Sequence, residues 1–246
     1  MLGLALSLAV LIGVSLGLLG SGGSIVTLPV LVYVAGIPAH QAVGMSLAIV
    51  GGTSALGSLL NLRRGTLDLR AAAFFSLSGI LGALIGARFT HLVSARALMM
   101  LFGALMLVVG LRMLTGNGEA QSGRKCRPLR CLGTGLGVGL LTGFLGVGGG
   151  FVILPALVFF AGLEMKPAVG TSLAVIACNS FGGLLSHLRY IQIEWGVTLA
   201  FLAAAAIGML GGLALAGRIS SGMLRRGFAW SVIALGGFLL IKNFLT

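Results

Sequence analysis

Two stretches constrain this chain more than any others. Gly17 to Pro29 reads Gly-Leu-Leu-Gly-Ser-Gly-Gly-Ser-Ile-Val-Thr-Leu-Pro, and Gly143 to Pro155 reads Gly-Phe-Leu-Gly-Val-Gly-Gly-Gly-Phe-Val-Ile-Leu-Pro. Each is a run of glycines between two apolar segments. In water such a run suggests a turn or a phosphate loop. Here 58% of residues are hydrophobic, 8% are charged and the mean hydropathy is +1.14. A soluble domain carries about 25% charged residues, so the composition is that of an all-α polytopic membrane protein. In a bilayer, a glycine run inside an apolar segment reads as a broken helix, the device with which many transporters build a binding site.

The rest of the chain repeats around these breaks. Apolar residues 4–19 and 25–35 flank the first, and 131–145 and 151–161 flank the second. Spans follow at 41–61, 69–90 and 95–114, then at 167–188, 195–217 and 224–245. Residues 17–68 align with 143–194 without a gap, and the later spans align more loosely. The expected organisation is transmembrane repeat 1 at 1–115, a cytoplasmic basic linker at 116–130 and transmembrane repeat 2 at 131–246. Each repeat has a Gly-broken or re-entrant helix plus three transmembrane helices.

The number of crossings decides how the repeats are related. A straight helix over 4–35 would run about 48 Å against a hydrocarbon core of about 30 Å. A long tilted helix gives an even number of crossings and parallel repeats. A re-entrant hairpin gives an odd number and inverted repeats. Loop charge favours inversion, because 62–70, 116–130 and 218–226 concentrate the basic residues on one side. The 42 glycines suit close helix contacts.

The net charge of +12 raises the question of nucleic acid. The basic residues lie in short loops between apolar runs rather than on a solvated domain, so they read as topology signals and no nucleic-acid partner is expected. The N-terminus lacks a basic n-region and a cleavage site, and reads as part of the mature protein. The three cysteines read as ordinary thiols. His40, His91 and His187 have no metal-ligand spacing, and neither a metal nor a cofactor is expected.

Chemistry is expected at the breaks and on the helices that follow. A helix start leaves N–H groups unpaired and carries partial positive charge, so it attracts anions. Gly20, Ser21, Gly22, Gly23 and Ser24, with Gly146, Gly148, Gly149 and Gly150, are therefore candidate contacts for an anion. The alternative use of these glycines is tight helix packing. The next helices open as Ala42-Val-Gly-Met-Ser-Leu-Ala48 and Ala168-Val-Gly-Thr-Ser-Leu-Ala174. Their polar faces place Ser46, Thr171, Ser172 and Asn179 among the candidates, with glue between helices as the competing role. Asp68, Glu119, Glu164 and Glu194 all fall in or beside loops, so no carboxylate is offered for a buried cation. Arg63 and Arg189, at equivalent positions, read as topology setters before they read as guards of the two mouths.

The paired Gly-x-Gly-Gly-Gly-like breaks, the proline after each and the Val-Gly-Thr-Ser-Leu run resemble the TauE/SafE sulfite exporter family over nearly the whole chain. Gly148, Gly149, Gly150, Pro155, Gly170, Thr171 and Ser172 match closely. Repeat 1 departs, with Ser24 in place of glycine and Met45 in place of threonine. The resemblance implies a multi-pass protein of the cell (inner) membrane that transports sulfur-containing or carboxylated organic anions such as sulfite, sulfonates or sulfoacetate. Its expected partners are a small anionic substrate and the lipid bilayer, with a homo-oligomer left open. No enzyme activity is expected. Ser21 and Ser24 superficially resemble a nucleophile loop, but repeat 2 has Val147 and Gly150 there and no histidine is matched. The competing readings are an intramembrane hydrolase and a non-transporting assembly factor.

Overall fold

The structure is a computed structural model describing residues 2–88, 95–115, 128–145, 150–187 and 193–245. Within them the chain is helical: α1 Leu2–Leu19, α2 Gly23–Pro29 with a π-helical continuation over Val30–Val34, α3 Ala39–Arg63, α4 Leu69–Ala87 and α5 Ala95–Thr115. The second half gives α6 Pro128–Leu145, α7 Gly150–Phe159, α8 Met165–His187, α9 Trp195–Arg218 and α10 Ser221–Leu245. Five of these (α3, α4, α8, α9 and α10) are long and apolar enough to cross a membrane. Shorter apolar helical segments span Gly3–Leu19, Met100–Thr115 and Cys131–Thr142.

The segments after the two glycine runs share one local geometry. Pro29 and Pro155 lie inside α2 and α7, where proline lacks an N–H and its ring disturbs the preceding turn. The ladder loosens beyond each. Ala35 N–H donates to Val30 O and Ala161 N–H to Ala156 O, five residues back in both cases. Ile37 donates to Leu31 O and Leu163 to Leu157 O. Gly36 and Gly162 then turn the chain at the same φ of 71°, a left-handed conformation that glycine adopts without steric cost.

The first break is a hairpin. Gly23 packs on Ile12 and Leu16, so α2 folds back along α1 rather than continuing it. This is the re-entrant alternative of the sequence reading. The hairpin arms are then held by the opposite half of the chain. Gly13 and Gly17 of α1 meet Ala205 and Met209 of α9, while Gly208 and Gly212 of α9 meet Val10 and Val14. The equivalent pair, α6 and α4, repeats this: Gly139 lies on Gly79, and Gly82 on Leu136. In each pair the contacts advance together, so the helices run parallel. At these glycines a Cβ would strike backbone. Lipid supplies no hydrophobic drive between helices, and such close backbone approach takes its place.

Equivalent helices also meet each other, and these run antiparallel. Along α3 and α8, Gly51 faces Ser180, Gly57 faces Leu173, and Gly170 packs on Asn61. Along α5 and α10, Gly103 faces Gly236 and Leu240, and Gly110 faces Ala229 and Ile233. A two-fold relating the halves therefore crosses the helices instead of running along them. The halves interlock, each completing the packing of the other.

Buried hydroxyl and amide groups lie within an otherwise apolar interior, and apolar side chains also cover the outside. Fully or nearly buried positions include Ser21, Thr27, Thr53, Ser54, Asn61, Thr171, Ser172 and Ser180, whereas Leu4, Leu11, Leu84, Ile207, Trp230 and Phe238 face outward. This is what a hydrocarbon solvent selects. Arg63, Arg64, Arg70, Arg112, Lys166, Arg218, Arg225 and Arg226 gather at one end of the bundle, with Arg88 at the other. The cysteines differ from the sequence reading. Cys131 at the start of α6 is disulfide-bonded and buried, Cys178 is free, and Cys126 lies outside the described residues.

Two measurements check this packing. Gly208→Ala puts a methyl against the Val10 carbonyl and is expected to cost about 1–3 kcal/mol, whereas Gly211→Ala meets open space and is expected to leave thermal stability in detergent unchanged or higher. In a cysteine-free background, Gly51→Cys with Ser180→Cys is expected to cross-link on mild oxidation, and Gly51→Cys with Thr171→Cys is not. The reverse result would contradict the Gly51–Ser180 crossing.

Candidate functional site

The first break is built from its own backbone and from α8. Gly20 caps α1 by donating to Leu16 O at 2.8 Å and sits at φ 71°. A side chain there would be strained, and its Cβ would meet Ser172 and Val169. Ser172 donates to Val169 O at 2.9 Å and reaches Gly20 O at 3.3 Å, tying the break to α8. Thr171 accepts from the Asp68 N–H at 3.1 Å and so holds the start of α4, where the Asp68 carboxylate caps Ala71. Ser24 donates to Ser21 O, and Thr27 to Gly23 O. These polar groups fasten the break in place.

The second break falls partly outside the described residues, which exclude Gly146, Gly148 and Gly149. Gly150 is described and buried. A Cβ on it would meet the Ser24 hydroxyl, with Ile176 beyond. The starts of α2 and α7 thus converge at equivalent residues, on the two-fold. The α3/α8 crossing at Gly51 and Ser180 falls near the middle of both helices.

Several polar groups here have no partner. The Ser21 and Ser54 hydroxyls, both in residues of 0% exposure, and the Asn179 Oδ1 are buried without a hydrogen bond. Ser54 and Asn179 lie within one turn of the α3/α8 crossing. A buried polar atom left unpaired costs about 1–3 kcal/mol, so each of the three calls for an explanation. Ser76 on α4 shares this property away from the break. Ser46 is half-buried on α3. Gly22 meets only the Leu19 side chain, and Gly23 only α1.

Ser54 on α3 is not among the sequence candidates, and its lack of a partner has no signature in the sequence. A second feature was missed altogether. At the basic end, a cavity of about 200 Å³ is lined by Asn61, Arg64, Thr66, Lys166, Val169, Leu213, Ala216, Gly217 and Leu224. Arg63, the cation singled out from the alignment, is not among them. The signal available in the sequence was the clustering of Arg64 and Lys166 at the ends of the two polar-faced helices.

Glycine-mediated helix contacts, hydroxyl and amide groups buried in an apolar interior and a leucine-rich exterior define a multi-pass membrane protein. The profile of the family described as "Sulfite exporter TauE/SafE" matches residues 5–239. Among relatives, two proteins of Xylella fastidiosa named "Probable membrane transporter protein" are 33% and 35% identical, each alignment covering 95% of this chain and 92% of the relative. The Bacillus subtilis "Probable membrane transporter protein YdhB" is 24% identical over 80% of this chain and 83% of its own. No solved structure matches the chain significantly. The chain belongs to the TauE/SafE family and is a membrane transporter.

The break makes its own prediction. Ser172→Ala, losing the bond to Gly20 O, is expected to cost about 1 kcal/mol. Gly20→Ala is expected to cost more, about 1–2 kcal/mol from the left-handed backbone alone. Gly22→Ala is expected to be the mildest of the three. Thermal unfolding of the purified variants ranks them, and an equal ranking of Gly20 and Gly22 would contradict the geometry.

Proposed function

We propose that this protein carries small sulfur-containing or carboxylated organic anions across the cell (inner) membrane, passing them along the two glycine breaks near mid-depth. The observation that carries the reading is the set of unpaired buried groups: Ser21 at the first break, and Ser54 and Asn179 beside the crossing of α3 and α8. Hydroxyls and an amide can donate to an oxyanion, as can the N–H groups of a helix start. A transient solute would satisfy in passing what the resting protein leaves unsatisfied. The Asn179 Oδ1 label fits this once the amide is turned to present its NH₂, since oxygen and nitrogen are assigned from their surroundings.

The family's description names sulfite export, and the buried polar residues here are neutral. Serine, threonine and asparagine suit a hydrated oxyanion better than a bare cation, for which carboxylates would be expected. The basic end is assigned to the cytoplasm by the positive-inside rule, which makes 116–130 a cytoplasmic linker. With antiparallel equivalent helices, the repeats are then inverted across the bilayer.

Purified protein in liposomes tests this directly. Uptake of sulfite, thiosulfate or sulfoacetate above protein-free liposomes is expected. Asn179→Leu and Gly149→Leu are expected to reduce flux at least about tenfold, equivalent to some 1.4 kcal/mol, while both variants insert and unfold normally. Flux unchanged in both would remove the breaks from the pathway, and no flux of any anion by the parent protein would end the transport assignment for this substrate class.

A further inference from the structure

We infer that the cavity at the basic end is an oxyanion-binding vestibule, and that it loads the translocation path from that end alone. The floor is neutral and fixed: Thr66 Oγ1 donates to Asn61 Oδ1 at 2.8 Å, and Asn61 Nδ2 donates to Gly57 O. Arg64 is held at the wall by a bond to Leu213 O at 3.3 Å. That contact uses one of the five N–H donors of the guanidinium. Lys166 stands on the first turn of α8, where the helix end adds partial positive charge. No carboxylate lines the cavity. Two cations, a helix start and an apolar wall at Val169 and Leu213 form a pocket for a small oxyanion. Its 200 Å³ holds such an ion with part of its water shell, each water occupying about 30 Å³.

A single residue separates the vestibule from the first break. Val169 lines the cavity and is also the backbone against which Gly20 packs. An anion in the vestibule is therefore one side chain away from the break that holds Ser21. The pair of cations is not repeated in the other half of the sequence, where the positions equivalent to Arg64 and Lys166 are Tyr190 and His40. The pathway has unequal mouths. The loading role rests on the transport reading above, while oxyanion binding at this cavity does not.

The test uses Lys166→Gln, an exposed site unneeded for packing, with Lys166→Arg as the conservative control. In detergent, inorganic sulfate is expected to stabilise the parent protein against heat, with an affinity that falls about tenfold in Lys166→Gln and recovers in Lys166→Arg. Unchanged affinity in Lys166→Gln, or no sulfate binding by the parent, overturns the site. In nanodiscs, competition between phosphatidylglycerol and sulfate for Lys166-dependent binding identifies a lipid phosphate as the occupant and overturns the loading role. Absence of such competition supports a free anion. In oriented liposomes, Lys166→Gln is expected to raise KM about tenfold only for sulfite added at the basic end. An equal rise at both ends overturns one-sided loading. Lack of flux in the parent, with Lys166-dependent sulfate binding intact, sinks the transport reading and leaves the site standing.

Discussion

The backbone contact between α1 and α9, mirrored between α6 and α4, is the interaction on which the rest of the structure depends. In a bilayer, apolar side chains gain nothing by leaving lipid for protein. Association must come from packing density and from polar groups that have no better place to go. Gly13, Gly17, Gly208 and Gly212 let two helices touch along their backbones, and Gly82 and Gly139 repeat the contact in the other half. Only with the hairpin arm pressed this closely can α2 turn back at mid-depth and still have its polar groups enclosed by protein. Irregular backbone is tolerated in a membrane on that condition alone.

Much of this was legible in the sequence. The glycine run at Gly20–Gly23 marks where α1 and α2 separate, and the prolines after both runs sit inside α2 and α7; Gly146–Gly149 lie outside the described residues. The ungapped match of 17–68 with 143–194 announced two equivalent halves. The sequence left open whether residues 4–35 fold back, because periodicity cannot distinguish a tilted helix from a hairpin. That choice is made by contacts such as Gly23 on Ile12, which involve neighbours in space. The looser alignment of the later spans also concealed that Gly82 and Gly208 do the same work.

The candidate contacts divide according to partners, which composition does not reveal. Thr171 and Ser172 are candidate ligands by sequence, yet Thr171 is engaged with the start of α4 and Ser172 with the first break. Asn179 and Ser21 retain unpaired atoms, and Ser54 joins them. The vestibule residues escaped notice for a different reason. Asn61, Arg64, Thr66 and Lys166 come from two helices far apart in the chain, and each alone reads as an ordinary span-end residue.

The interlocking of the halves has a consequence for biogenesis. The surface that α1 requires is supplied by α9, among the last helices to leave the ribosome, whereas α4 finds its partner α6 soon after its own synthesis. Throughout translation the N-terminal arm must wait in the membrane with its glycine seam uncovered. The chain closes only when its two ends meet.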